Sequence, residues 1–275
     1  MLNKIKKINS VTHILILINA ILFIIMIISD SKLSIDTLLT FGAKYNYAIV
    51  EGEYYRLFTT MFLHANLMHI LFNMVALNAF GKDLEMIFGP KKFILLYLIS
   101  GLIGSIGSFI FNSSIGVGAS GAIFGLLGAH LYLFTINPKV YKRIYGKDML
   151  VLIGFNLIYG FIAQNIDNSA HLFGLIGGYI VAWSLGIFNE KILSKKRIPF
   201  QILLISIPFI FSLLAVPSYK NSYKYDWDKG LDLISENKVF EAKKYFENGL
   251  SKKPNNENFI EILKIIEEYE AELNK

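Results

Sequence analysis

Long apolar stretches with almost no charged residues constrain this chain more than any other feature of its sequence. A helix needs about 20 consecutive, mostly apolar residues to cross the hydrocarbon core of a bilayer, and several stretches reach that length. Hydrophobic residues make up 54% of the chain and charged residues only 17%, a balance too apolar for an ordinary soluble domain. Helices satisfy their backbone polar groups internally, as lipid requires. The sequence therefore predicts an all-α polytopic membrane protein.

Hydropathy divides the apolar part of the chain into seven predicted spans. They cover residues 12–29, 57–80, 93–111, 118–136, 149–163, 168–188 and 198–216. The third and fourth share one charge-free run, which we divide at 112–116 because the Asn, Ser and Gly residues there favour a turn. The fifth span is the shortest. A cleaved signal peptide is the alternative interpretation of the first span, but its length and the lack of a small-residue cleavage pattern favour a retained helix.

Basic residues predict the orientation of these spans, because the cytoplasmic loops of membrane proteins carry an excess of Lys and Arg. The amino-terminal segment and every second connection are rich in them: Lys4, Lys6, Lys7, Lys82, Lys91, Lys92, Lys139, Lys142, Arg143, Lys147, Lys191, Lys195, Lys196 and Arg197. The opposite connections hold only Lys32, Lys44 and Arg56. We therefore expect a multi-pass protein of a plasma membrane, bacterial in type, with a cytoplasmic amino terminus and an extracytoplasmic carboxyl terminus.

The expected organisation has three parts: a cytoplasmic segment 1–11, a membrane domain 12–217 with a long first loop at 30–56, and a soluble helical tail 218–275. The formal net charge is +6, but the basic residues lie in separate loops and not in one patch, so nucleic acid is not an expected partner. The chain has no cysteine, which excludes disulfides and thiolate metal sites. We expect no cofactor and no metal.

A few polar side chains stand in otherwise apolar spans, and such residues are functional candidates because placing them in lipid is costly. Ser120 lies near the start of the fourth span in GVGASGAIFG, and His171 near the start of the sixth in AHLFG. His69 and Asn73, four residues apart in the second span, share one face of a helix, with Asn66 one turn further out. These three spans enter from the same side, which predicts one common depth for the polar groups.

Small residues suggest how Ser120 and His171 approach each other. Glycines mark one face of each helix: Gly121, Gly125 and Gly128 on the fourth span, and Gly174 and Gly178 on the sixth. Such patterns let membrane helices pack closely, which favours a meeting of the serine and the histidine. The alternative interpretation is packing alone, with the serine hydroxyl bonded to its own helix.

Taken together, four sequence elements resemble those of the rhomboid intramembrane serine proteases: the motif Gly118-Ala-Ser-Gly121, the later His171, the spacing His64-x4-His69-x3-Asn73-Met74, and the loop element Glu53-Tyr-Tyr-Arg56. The resemblance covers residues 53–179 in order. It implies a rhomboid-like six-helix core, to which this chain adds a seventh transmembrane helix. Where the family has a Trp-Arg pair in the first loop, this chain has Tyr55-Arg56.

The resemblance implies a catalytic dyad, with Ser120 as nucleophile, His171 as general base and no acid to complete a triad. It also implies that the side chains of His69 and Asn73 and the backbone N–H of Ser120 stabilise the oxyanion. Phe124 falls where the family has an aromatic residue, often tyrosine, that packs on the histidine ring. The expected supporting residues are Gly118, Gly121, Phe124, Gly174, His64 and Phe72. His64 is expected to point away from His69 and to bond to the first loop.

The expected activity is hydrolysis of peptide bonds in or next to the transmembrane segments of membrane-protein substrates, inside the lipid bilayer. The alternative is a catalytically silent rhomboid-like protein that binds membrane clients. It is disfavoured because Ser120, His171, His69 and Asn73 are all present. A histidine metal site or transporter is a third hypothesis, but the chain lacks His-Glu-x2-His.

Spacing in the tail resembles one tetratricopeptide repeat. The residues that carry this resemblance are Gly230, Ala242, Phe246, Gly249 and Pro254. A further helix at 258–273 is expected to cap the pair, and a generic helical hairpin is the alternative. The predicted role of such a tail is to dock a peptide or protein partner outside the membrane.

Overall fold

The computed structural model describes residues 10–148, 151, 154–155 and 166–273, and the predicted fifth span, at 149–163, lies almost entirely outside them. In chain order the helices are α1 (Val11–Ser29), α2 (Ile35–Thr40), α3 (Asn46–Val50), α4 (Arg56–Thr59), α5 (Leu67–Phe88), α6 (Pro90–Phe111), α7 (Ser120–Ile136), α8 (Pro138–Tyr145), α9 (Asn168–Leu185), α10 (Ile198–Ile210), α11 (Val216–Lys220), α12 (Tyr223–Ser235), α13 (Val239–Lys252) and α14 (Glu257–Leu273). A 3₁₀ turn, Thr60–Phe62, follows α4, and a π turn, Phe211–Ala215, follows α10. The chain forms two compact units: one runs to Tyr45 and from Glu53 to Pro208, and the other joins Asn46–Gly52 to the residues from Phe209 onward.

Several helices have the length and composition of membrane spans. Among the described residues, α1, α6 and the continuous segment Ile198–Lys220 meet both requirements, and Arg56–Phe62 with Leu67–Phe88 meets them as a bent pair. The helix α7 is apolar but shorter. These helices confirm the predicted all-α polytopic fold. The count of seven spans stays a prediction.

The predicted second span is wrong in its bounds. Residues 57–80 do not form one helix, because Arg56–Phe62 meets Leu67–Phe88 at an angle of 90°. Asn66 caps the second piece, its side-chain oxygen accepting a hydrogen bond of 2.9 Å from the backbone N–H of His69. Hydropathy continues through the bend, so an apolar window does not reveal it. His64 consequently lies in the bend and outside the helix that carries His69.

Helices α6, α7 and α9 pack against one another through residues without bulky side chains. A Cβ built on Gly174 of α9 would overlap the carbonyl oxygen of Gly121 on α7, and one on Gly178 would overlap that of Gly125. On α6, a Cβ at Gly104 would lie 2.9 Å from the carbonyl oxygen of Ala170. This confirms the close approach expected from the glycine pattern.

The carboxylate of Glu85, near the end of α5, caps the start of α1. It accepts hydrogen bonds from the hydroxyls of Ser10 and Thr12 at 2.7 and 2.8 Å and from the backbone N–H groups of Val11 and Thr12 at 2.8 and 3.0 Å. A carboxylate at a helix amino terminus satisfies N–H groups that have no partner within the helix. The contact fixes α1 to α5.

The second unit is a bundle of the tail helices and one segment of the first loop. Gly230 of α12 leaves room for the buried ring of Phe246 on α13, and Gly249 does the same for Phe259 of α14. On another face of α12, the Tyr47 hydroxyl of α3 donates a hydrogen bond of 2.7 Å to Asp232. Burial of Tyr47 and its bond to Asp232 raise the pKa of this phenol, which therefore remains a donor at neutral pH. The tail thus packs on a segment of the first loop.

Candidate active site

Ser120 is the first residue of α7, as the sequence predicts. The chain reaches it through Gly118, whose φ of +131° favours glycine. A Cβ on Gly118 would lie 2.8 Å from Nε2 of His69 and 3.7 Å from Oγ of Ser120. The two side chains therefore border one small space, which the missing side chain of Gly118 leaves open. The first backbone N–H groups of α7, including that of Ser120, have no partner within the helix and form the positive end of its dipole.

His171 lies in the first turn of α9. Its imidazole stacks on the ring of Phe124, with centroids 4.0 Å apart and planes 11° from parallel. This confirms the ring contact expected of Phe124. Because Phe124 is one turn beyond Ser120 on α7, the stack places His171 beside the turn that carries the serine. The close contact of Gly174 with Gly121 brings the two helices together at this level.

The hydrogen bonds around His171 concern one ring nitrogen and a nearby carboxylate. Within the part of the chain that the structure describes, its Nδ1 has no hydrogen-bond partner. The nearby carboxylate of Asp167 is bonded elsewhere, with one oxygen accepting from the backbone N–H of Ala170 at 3.0 Å and the other from the hydroxyl of Ser108. The stack on Phe124 is thus a contact that restrains the imidazole.

His69 and Asn73 lie on one face of α5, as their spacing predicts. Asn73 is 7% exposed, and its side-chain nitrogen donates a hydrogen bond of 2.8 Å to the carbonyl oxygen of His69. One amide hydrogen of Asn73 is thereby used within its own helix, and the second is available for another acceptor.

His64 does not point away from His69, contrary to the sequence-based expectation. The two rings meet edge to face with centroids 5.0 Å apart. The expectation assumed one continuous helix, and the bend at residues 63–66 removes that assumption. Phe72, also expected to support the site, is 65% exposed on α5.

Residues of the loop element Glu53-Tyr-Tyr-Arg56 form hydrogen bonds within the first loop and stabilise it. The Arg56 guanidinium donates to Glu53 at 2.5 Å and to the carbonyl oxygen of Leu39 at 2.7 Å. The Tyr55 hydroxyl also donates to Glu53, at 2.7 Å. This hydrogen bond, together with the charge of Arg56, holds the pKa of Glu53 below its usual value, although burial opposes the shift.

Sequence reasoning missed three residues behind the site: Lys44, Ser108 and Asp167. Asp167 caps α9, and an Asp before an apolar run is a recognisable start signal. Ser108 and Lys44 carry no comparable signal, because their partners are distant in the chain. Across the described ranges, no group of three or more His, Asp or Glu residues is arranged to hold a metal ion.

Comparison with known proteins gives consistent matches. The Rhomboid domain family matches residues 51–188. The chain is 35% identical over 255 residues to the rhomboid protease GluP of Bacillus subtilis (strain 168), a match that covers 92% of this chain and 50% of GluP. It is 38% identical over 141 residues to YdcA of the same bacterium, covering 50% of this chain and 71% of YdcA. RHOMBOID-like protein 5 of Arabidopsis thaliana is 39% identical over 157 residues, which cover 55% of this chain and 50% of that protein. The chain thus spans about half the length of GluP.

Proposed function

Because this chain belongs to the rhomboid family, we propose that it is an intramembrane serine protease with Ser120 as nucleophile and His171 as general base. It hydrolyses peptide bonds in or next to the transmembrane segments of membrane-protein substrates. The stack of His171 on Phe124, one turn beyond Ser120, is the observation that supports this assignment most strongly. A dyad can act without a third residue where packing holds the base in place.

The reaction begins when His171 takes the proton of the Ser120 hydroxyl and the oxygen attacks the scissile carbonyl carbon. The imidazolium then returns the proton to the leaving amine, and the acyl-enzyme is hydrolysed by water in the same two proton steps. Stacking on Phe124 restrains the ring in both states. Nδ1 of His171 has no hydrogen-bond partner among the residues that the structure describes, which supports a general base that works without a carboxylate partner.

Negative charge on the tetrahedral intermediate needs donors that are already in place. We assign this role to the side chains of His69 and Asn73 and the backbone N–H of Ser120. The common border of His69 and Ser120 at Gly118 supports the assignment. The second amide hydrogen of Asn73 is the one available to the oxyanion.

The direct test is cleavage of a purified transmembrane test substrate by Ser120→Ala, His171→Ala and the double variant. Each single variant should lose cleavage while keeping the wild-type melting temperature, and the double variant should lose little more, because the pair acts as a unit. Cleavage by Ser120→Ala at the wild-type rate would refute the nucleophile. A folded wild-type protein that binds membrane clients without cutting any of them would instead support the silent client-binding alternative.

We further propose seven spans, with the amino terminus cytoplasmic and the carboxyl terminus outside a bacterial plasma membrane. The tail packs on residues 46–52 of the first loop, which supports one side of the membrane for both. The absence of cysteine from the sequence permits a clean test with single cysteines. In intact cells, a membrane-impermeant maleimide should label Lys264→Cys in the tail and not Lys139→Cys in α8. Protection of Lys264→Cys would overturn the topology.

The tail is proposed to dock a peptide or protein partner in the manner of a tetratricopeptide repeat. The interlocking of Gly230 with Phe246 and the added helix α14 support such a unit. Truncation after Val216 should leave cleavage of a simple test substrate largely intact while reducing capture of native clients. A truncated, folded enzyme that is inactive on every substrate would contradict this division of roles.

A further inference from the structure

Lys44 of the first loop is buried although lysine is rarely found inside a protein without partners. The residue is only 1% exposed. Its ammonium donates to Oγ of Ser108 at 3.0 Å and to the carbonyl oxygen of Asn112 at 2.6 Å, both at the end of α6. Burying a charge costs several kcal/mol unless such bonds compensate for it. The bonds to Ser108 and Asn112 therefore anchor Lys44 at the end of α6.

Two paths of hydrogen bonds start at Lys44. The first path, which we call the first arm, starts at its ammonium and leads to His171. Ser108, which accepts from Lys44, donates to the carboxylate of Asp167. Asp167 is the N-cap of α9: its other carboxylate oxygen accepts from Ala170, and its carbonyl oxygen accepts from the backbone N–H of His171 at 3.1 Å. A continuous path of hydrogen bonds thus links Lys44 through Ser108 to the turn that holds His171.

The second path, which we call the second arm, starts at the backbone of Lys44 and leads to the segment before Ser120. The backbone of Lys44 exchanges two hydrogen bonds of 3.0 Å with Gly116. The carbonyl oxygen of Gly116 also accepts from the Thr60 hydroxyl at 2.6 Å, and Thr60 in turn accepts from the backbone N–H of Gly118 at 2.9 Å. Gly116 precedes Ser120 by four residues, as Asp167 precedes His171.

We propose that Lys44 is a positioning residue that sets the placement of His171 relative to Ser120, through its ammonium on one side and its backbone on the other. The inference rests on the proposed dyad. It assigns a function to the first loop that is distinct from contact with substrate. Because only the first arm uses the side chain, replacing the side chain should move His171 while the backbone pairing with Gly116 persists.

The test compares Lys44→Met and Ser108→Ala with wild type in kcat, KM and melting temperature on a purified transmembrane test substrate. Lys44→Met should lower kcat by about 10- to 100-fold with KM within about twofold, since a misplacement of about 1 Å can cost on the order of 100-fold. Ser108→Ala removes only the relay hydroxyl and should lower kcat in the same way. Lys44→Met combined with Ser108→Ala should add little, because both interrupt one path.

Lys92 provides the matched control. Its ammonium donates to three carbonyl oxygens, those of Gly186, Ile187 and Glu190, at 2.7–3.1 Å near the other end of α9. Lys92→Met should therefore lower the melting temperature and leave kcat of the folded enzyme unchanged. An unchanged kcat in Ser108→Ala, or a kcat loss in Lys92→Met equal to that in Lys44→Met, would overturn the positioning role.

The same measurements separate this inference from the proposed dyad. A wild-type enzyme that cleaves, a Ser120→Ala variant that does not, and a Ser108→Ala variant with full kcat would refute the positioning role and leave the dyad intact. Cleavage by Ser120→Ala would refute the dyad itself. If Lys44→Met fails to fold, the smaller change in Ser108→Ala decides the outcome.

Discussion

The aromatic ring of Phe124 lies flat on the imidazole of His171, whose Nδ1 has no hydrogen-bond partner among the described residues. Phe124→Leu should therefore lower kcat by about 2- to 10-fold, the size expected for an aromatic pair of about 0.5–1.5 kcal/mol. Phe124→Tyr keeps the ring and should keep activity. Initial rates at saturating substrate measure both effects.

Phe209 offers the control for this substitution, because it is 65% exposed and belongs to the second unit. Phe209→Leu should leave kcat unchanged. Equal activity of Phe124→Leu and wild type would mean that the stack does not restrain His171 during turnover.

Asn73→Ala should lower kcat by about 10- to 1000-fold with little change in KM, since a lost oxyanion donor acts where charge develops. Its bond to the carbonyl oxygen of His69 also fixes the amide within α5. Steady-state kinetics with a transmembrane test substrate separate the two parameters. A raised KM with unchanged kcat would make Asn73 a packing residue.

Gly174→Ala should separate α7 from α9, because the added Cβ would overlap the carbonyl oxygen of Gly121. Overpacking of this kind costs about 1–3 kcal/mol, so both melting temperature and activity should fall. Gly154→Ala is the control, since a Cβ there would meet no described atom within 4 Å. If Gly174→Ala keeps the melting temperature and the activity of wild type, the added Cβ is accommodated between the two helices without loss of stability.

The close approach of α7 and α9 was predictable, because glycines recur at helical spacing on both helices. The bend before α5 was not. Hydropathy averages over a window, whereas the bend depends on a cap at one residue, Asn66. That single error also misplaced His64.

The anchor at Lys44 lay beyond sequence reasoning for a different reason. Orientation rules count Lys44 as one basic residue in an outer loop, and they do not distinguish an exposed ammonium from a buried one. Its partner Ser108 is 64 residues away. No periodic pattern links residues so far apart, so their pairing is visible only once the fold is known.

The pH dependence of stability should include a contribution from Glu53. Its pKa in the folded protein lies below the ordinary value of 4.5, so protonation weakens the folded state. The contribution is present above about pH 4.5 and is lost as pH falls through the lowered pKa. The difference in melting temperature between wild type and Glu53→Gln should therefore hold from pH 7 to about 4.5 and shrink as the pH is lowered further, through the lowered pKa. A constant difference over this range would exclude the carboxylate as its source.

The pairing of α3 with the tail also affects how the protein is made. Tyr47 and its partner Asp232 are 185 residues apart, and Glu51 and Tyr225 are 174 apart. During synthesis this segment leaves the ribosome long before the tail exists, so Tyr47 and Glu51 must wait without these partners. The last helices to be made then complete a structure begun near the start of translation. Assembly of this unit is in this sense the final event of biogenesis, and a stalled chain would leave it incomplete.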